Sequence, residues 1–271
     1  TVLTGTGEKL ENADVIMIDG KINAVGKNLA EDGATIVDAQ GKWVTPGIID
    51  VHSHLGVYPS PNAESHNDGN EMTNPITAEV WAEHSVWPQD PGFNRAREGG
   101  VTTMQILPGS ANLIGGRGVT LKNVPSESMQ AMKFPDAPYG LKMACGENPK
   151  SLYGSRSELP MTRMGNMAGY RQAFIEATEY KRAWDKYEAD YAAGKNAAAP
   201  KRDLTLDTLK GVLEGEILIH NHCYKAEEMV MMIDLGKEFN YHSGTFHHAI
   251  EAYKIADTLA ENGNCAAMWP D

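Results

Sequence analysis

The chain has 271 residues, 41% of them aliphatic or aromatic and 22% charged, enough to bury a full core without disulfide staples. A formal net charge of −12 offers no basic stripe, which argues against nucleic acid as a partner, and no apolar run is long enough to cross a bilayer. Cys145, Cys223 and Cys265 are dispersed and form no CxxC pair, so no disulfide framework is expected. A cytoplasmic setting is the default, and a periplasmic or secreted one applies if a leader precedes Thr1.

In chain order, residues 1–47 read as a small β-element. "ADVIMIDGKINAVG" (13–26) alternates apolar and polar residues around Asp19-Gly20, a strong hairpin signal, and "ATIVDAQGKWVTPG" (34–47) continues in the same style. A second region, 48–271, opens with "IIDVHSH", whose apolar run predicts a parallel strand covered on both faces. A helical pattern follows in "ITAEVWAEHSVW" (76–87) and again up to "FNRAREGG", then strands in "VTTMQILPG", "GVTLKNV" and "YGLKMAC". Residues 162–195 predict one long helix, running out into the exposed linker "AAGKNAAAPKRD".

Beyond residue 203 the alternation is regular. "LTLDTLKGVLEG" reads as helix, "EILIHNHC" as strand and "KAEEMVMMIDLGKEFN" as helix. "YHSGTFHHA", "EAYKIADTLAENG" and "NCAAMW" then give strand, helix and strand. The Met and Ile stripe of "AEEMVMMIDLGKEF" has helical period and predicts core packing. Repeated β-then-α units imply parallel strands with right-handed crossovers. The fold class is therefore α/β, a TIM (β/α)8-type barrel with about seven strands after residue 47, one short of closure.

The chemistry concentrates in nine histidines, most of them at the carboxyl ends of predicted strands, where a barrel builds its active face. His52 and His54 are two apart on a strand and project from one side. Two imidazoles there are costly to bury idle, so they predict metal ligands. His220 and His222 also share a face; His220 is the preferred ligand and His222, nearer the mouth, a substrate-side group. His247 and His248 are adjacent, so only one of them can point inward. His242, His66 and His84 predict structural roles.

A carboxylate-like ligand has two candidates in "LKMACGENPK", Glu147 just past the strand and Lys142 within it; the amine could serve only if uncharged or carbamylated. Arg117, in the glycine-rich "GSANLIGGRGVTLK", could anchor a substrate carboxylate or face solvent. That loop fits neither phosphate-loop spacing, and no Ser-His-Asp arrangement survives inspection.

"DGKINAVG" followed by "DAQGKWVTPGIIDVHSHLG" resembles the opening of the amidohydrolase superfamily, in its imidazolonepropionase-like and prolidase-like branch. The resemblance runs on through "LKMACGENPK", "ILIHNHCYKAEE" and "HHAIEAYKIAD". It implies a metal-bearing (β/α)8 barrel beside a small β-sandwich, with one or two divalent ions, most often zinc. The matching ligands are His52, His54, His220, His248 and, on the fourth strand, Lys142 (carbamylated) or Glu147.

The family's strand-eight aspartate has no match. "NCAAMWPD" reads as strand seven and Asp271 falls one strand early, so a fragment of a longer protein with weak or no turnover is expected. The resemblance implies hydrolysis of an amide or cyclic C–N bond of a small-molecule substrate, with His222 and Arg117 on the substrate side. A dipeptidase, a lactone or phosphoester hydrolase on the same site, or an inactive metal-binding relative are the alternatives. A homodimer is compatible with relatives of this kind.

Overall fold

The computed structural model describes residues 1–30 and 32–268, and two compact units emerge from the chain, Thr1–Ile48 and Ile49–Asp271. The expectation attached to Asp271 lies outside the described residues.

The first unit holds two antiparallel pairs. β1 (Val2–Leu3) pairs with β2 (Lys9–Leu10), and β3 (Asp14–Ile18) with β4 (Lys21–Gly26). Asp19 and Gly20 turn the second hairpin at φ 51° and 73°. Positive φ at both central residues is the conformation whose twist matches the flanking strands, and Gly20 adopts it without a Cβ clash. Residues 34–47 form no strand, contrary to the alternation in their sequence. Only Val44 makes an isolated bridge, to Val2, while Ile36 and Val37 stay exposed.

The second unit is built on one seven-stranded sheet in the order β11-β10-β9-β8-β7-β6-β5. Its strands are β5 (Ile48–Ser53), β6 (Val101–Ile106), β7 (Ile114–Lys122), β8 (Gly140–Ala144), β9 (Leu218–Cys223), β10 (Thr245–His248) and β11 (Cys265–Met268). From β8 to β11 the strands pair in parallel, as the β-then-α rhythm predicts. β7 runs antiparallel to both β6 and β8; the connection before it is short, and the one after it holds only the single helical turn Met129–Met132.

The sheet curls. β5 and β10 stand five strand spacings apart, roughly 24 Å in a flat sheet at about 4.8 Å each, yet the rings of His52 and His247 lie 4.7 Å apart. The architecture is an incomplete TIM-type barrel, with the histidines on its concave side. β5 is an edge strand, so the expectation of burial on both faces fails. Ile49 is 65% exposed, and Ile48 and Val51 are also open.

The helices are α1 (Pro91–Glu98), α2 (Met129–Met132), α3 (Glu147–Ser155), α4 (Arg163–Ala192), α5 (Leu204–Leu213), α6 (Ala226–Phe239) and α7 (Ala256–Glu261). Asp90, Thr162 and Asp203 cap α1, α4 and α5 through side-chain oxygens that accept backbone N–H groups two or three residues on. Leu141, Met143, Ile219 and Phe246 on the convex face of the sheet pack with Tyr170 and Phe174 of α4, Leu209 and Val212 of α5, and Met229, Met232 and Ile233 of α6. The methionine stripe of α6 is core. Among the described residues no helix is long and apolar enough to cross a membrane.

Two further expectations need correction. Residues 76–87 are not helical beyond a single 3-10 turn at Ala82–His84. Their backbone is committed to β7 instead: the Thr77 N–H donates to the Ile114 carbonyl at 2.9 Å, and the Arg117 N–H to the Val80 carbonyl at 2.8 Å. A disulfide joins Cys145 and Cys223, which are 78 residues apart in sequence. Parallel pairing of β8 with β9 is what brings them together, with the Cys145 N–H donating to the His222 carbonyl. It is one bridge between neighbouring strands, not a framework, and Cys265 is free and exposed.

Candidate metal centre

Register decides which side chains meet inside the curl. Lys142 on β8 lies opposite His220 on β9, and Ala144 opposite His222. His222 in turn lies opposite His247 on β10. Residues paired in register project from the same face, so Lys142, His220, His222 and His247 form one inward row while Leu141, Ile219 and Phe246 point out to the helices.

The imidazoles of β5 close on this row from across the barrel. The ring of His52 is 4.8 Å from that of His54, 4.7 Å from His247 and 5.5 Å from His248. His222 is 4.1 Å from His248. His220 Nδ1 and His247 Nε2 share a hydrogen bond at 3.0 Å. Six imidazoles therefore meet in one place.

The adjacency rule for His247 and His248 does not hold. His247 follows the alternation, is wholly buried and faces inward. His248 should point outward, but its φ of +63° turns the end of β10 and swings its ring back over His222. His222, placed by the sequence reading on the substrate side, is buried among these rings.

Hydrogen bonding sets the protonation of one imidazole. His54 Nδ1 lies 2.8 Å from the Leu107 carbonyl, which can only accept, so Nδ1 carries the proton. A neutral His54 then directs the lone pair of Nε2 toward His52 Nε2, 3.1 Å away. This is the tautomer that a metal-ligating histidine adopts when a carbonyl holds its other nitrogen.

Burial keeps the imidazoles neutral: it drives His52 well below the usual histidine range, with the Lys142 ammonium adding repulsion. Burial likewise lowers His54 and His220 to about 4, and His222 and His247 to about 2. Lys142 is completely buried, and desolvation lowers its amine to about 7. It donates to the Pro108 carbonyl at 3.1 Å and has no ion pair among the described residues.

The donor set fits a divalent cation in kind. The imidazoles are neutral, a lysine can lose its proton near pH 7, and both ring nitrogens of His222 are buried without a hydrogen-bond partner. As packed here His52 bonds to His54, and His220 to His247. Among the described residues no three His, Cys, Asp or Glu side chains stand as a ready ligand set.

Two candidates fall outside the cluster. Glu147 is exposed in the first turn of α3, beyond the end of β8, so Lys142 and not Glu147 stands among the histidines. Arg117 is part of β7 rather than a loop and pairs with Leu141, which sends it to the convex, helix-facing side. There its Nε donates to Thr208 Oγ1 at 2.8 Å and its guanidinium lies 4.1 Å from the Trp81 ring. It is neither solvent-facing nor near the centre.

His242 uses both nitrogens, on the Asn262 carbonyl and the Gly244 N–H, while His66 stacks on Trp87 and His84 on Trp81.

Gly140 shows how tightly His220 is seated. A Cβ there would lie 2.6 Å from His220 Cδ2 and 2.9 Å from its Nε2. Gly140→Ala is expected to displace the ring, costing about 1–3 kcal/mol of stability by overpacking and weakening zinc binding in parallel. Urea denaturation and a zinc titration of the variant check both.

No protein-family model matches the chain. Over 262 residues it is 35% identical to the amidohydrolase tasK of Hapsidospora irregularis, matching 92% of this chain and 26% of tasK. The crystal structure of an amidohydrolase from Thermotoga maritima MSB8 superposes with a TM-score of 0.86 at 37% identity, covering 94% of this chain and 65% of that one. The chain belongs to the amidohydrolase superfamily.

A shorter match, 47% identical over 55 residues, links this superfamily member to a D-hydantoinase of Geobacillus stearothermophilus, over 20% of this chain and 11% of the enzyme. The chain spans about a quarter of tasK and just under two thirds of the Thermotoga amidohydrolase. Relatives in the superfamily generally use a divalent metal.

Proposed function

We propose that this chain carries the metal centre of a hydrolase that cleaves a C–N bond in an amide or cyclic amide. The observation that carries the reading is the meeting of six imidazoles from β5, β9 and β10 around one fully buried lysine. His52, His54, His220, His222, His247 and His248 are the imidazoles that would hold one or two divalent ions, zinc being suited to neutral nitrogen ligands. Lys142 would add a carboxylate-like ligand after its neutral amine takes up carbon dioxide and releases a proton. A divalent cation bound there supplies Lewis acidity, polarising a carbonyl and bringing the pKa of water from about 15.7 toward 7.

The chain's own groups do the rest. The Leu107 carbonyl fixes the His54 tautomer, the Pro108 carbonyl holds the Lys142 Nζ, and the aromatic rings of Tyr58 and Tyr224 flank the imidazoles at 5.6 Å from His54 and 4.5 Å from His222.

The relatives named for amide and hydantoin hydrolysis support the choice of bond over the dipeptidase, lactone and phosphoester alternatives. The test is a panel on the zinc-loaded chain: hydantoins, a proline dipeptide, a lactone and a phosphodiester, each with and without chelator. Chelator-sensitive opening of the cyclic amide is the expected result. Turnover confined to the dipeptide or the esters would overturn the bond assignment, and a chain that takes up no zinc would overturn the centre.

A further inference from the structure

The second unit holds a cleft of about 410 Å³. That volume suits a small organic molecule. Two lining residues connect it to the centre. Pro108 forms part of the wall, and its carbonyl accepts the Lys142 amine at 3.1 Å. Asn70 is another, and it accepts the Tyr58 hydroxyl at 2.9 Å while the Tyr58 ring stands edge-on to His54.

The walls are held in place. Buried Asn112 donates to the Glu71 and Asn74 carbonyls at 2.6 and 2.8 Å, tying the loop that carries Glu71 to the scaffold. Trp81, also in the lining, is braced by the Arg117 guanidinium at 4.1 Å, itself held by Thr208. The Arg117 of the sequence reading thus contributes through an aromatic wall, not through a salt bridge to substrate.

Apart from His84, the ionisable residues of the lining are carboxylates. Asp68, Glu71 and Glu79 supply carboxylates, Glu79 also accepting the Thr205 hydroxyl at 2.8 Å, and no lysine or arginine is among the lining residues. Carboxylates in a concave, partly apolar wall focus a negative potential.

We propose that this cleft receives a positively charged group of the substrate, an ammonium or guanidinium, while the amide lies at the histidine centre. The inference rests on the hydrolase reading. It deepens that reading by naming the substrate class, a cyclic amide with a cationic side chain.

The experiment measures binding and turnover separately, using three hydantoins on the zinc-loaded chain. Their 5-substituents are aminobutyl (cationic), carboxyethyl (anionic) and isobutyl (neutral). By calorimetry the cationic probe is expected to bind about tenfold more tightly than the anionic one. Glu71→Gln and Asp68→Asn are each expected to narrow that gap by about threefold and leave the neutral probe unchanged.

Equal or tighter binding of the anionic probe, no binding of the cationic one, or a gap that survives both substitutions would overturn the proposal. Its failure is distinguishable from failure of the hydrolase reading. Turnover of all three hydantoins with equal KM sinks the cleft alone. A charge preference in binding, with turnover confined to the dipeptide or the esters of the panel, sinks the reaction and upholds the cleft.

Discussion

Replacing Lys142 with methionine is expected to stabilise the metal-free protein at pH 7 by on the order of 2–3 kcal/mol. The lysine is fully buried, its one hydrogen-bond partner among the described residues is the Pro108 carbonyl, and desolvation lowers its amine to about 7. Methionine keeps the volume and removes the charge, at the cost of leaving one carbonyl without its donor.

The sign of the pH dependence follows from the direction of the shift. The folded amine titrates near 7 and the unfolded one near 10.5. Below pH 7 both states hold the proton, and burying the ammonium costs the full penalty. Between pH 7 and about 10.5 only the unfolded state holds it, so the penalty fades and stability rises with pH. The wild-type chain, in chelator and bicarbonate-free buffer, should therefore gain stability from pH 7 to pH 10 relative to Lys142→Met. Urea denaturation at the two values measures the difference. The same substitution should abolish the rise in unfolding midpoint that zinc confers. A variant less stable than wild type at pH 7 in chelator would show that the buried amine is satisfied as it stands.

How much of this was legible in the sequence depends on what each residue's signal encodes. The Asp19-Gly20 hairpin, the parallel run from β8 to β11 and the core stripe of α6 rest on local periodicity, and the structure reproduces them. Residues 76–87 have helical period but lie between Pro75 and Pro88, and β7 takes up their N–H and C=O groups, a nonlocal competition that no local pattern reveals.

The placement of His52 and His54 followed from strand parity. Arg117 lacks the same parity signal: as a loop "GGRG" has no register, whereas in β7 the register turns its side chain outward. Lys142 and Glu147 were inseparable by residue type; burial separates them. The inward turn of His248 depends on one left-handed residue at a strand end, and a non-glycine in that conformation leaves no mark in the sequence. Burial on both faces was expected of β5 because apolar content encodes preference for a covered position, not whether a neighbouring strand is present to cover it.

Removing His54 should weaken metal binding strongly. Its Nδ1 is committed to the Leu107 carbonyl, which both fixes the ring and leaves Nε2 as a lone-pair donor toward His52. Loss of an outer partner that orients a ligating histidine typically weakens metal affinity 10- to 100-fold, so loss of the histidine itself should weaken it by about 100-fold or more. His54→Ala deletes the donor and also leaves the Leu107 carbonyl unsatisfied, which lowers stability by about 1–2 kcal/mol in the metal-free state.

Competition against a chromophoric zinc chelator separates the two effects, because affinity is read below the unfolding transition. His66→Ala and His242→Ala are the controls. The first ring is stacked on Trp87 and the second bonds the Asn262 carbonyl and the Gly244 N–H, so neither variant should alter zinc affinity by more than about twofold. Wild-type zinc affinity in His54→Ala would mean that the imidazoles meeting at the barrel's concave face are not the site that holds the ion, since in His54 a backbone carbonyl fixes the tautomer that leaves Nε2 free to donate to it.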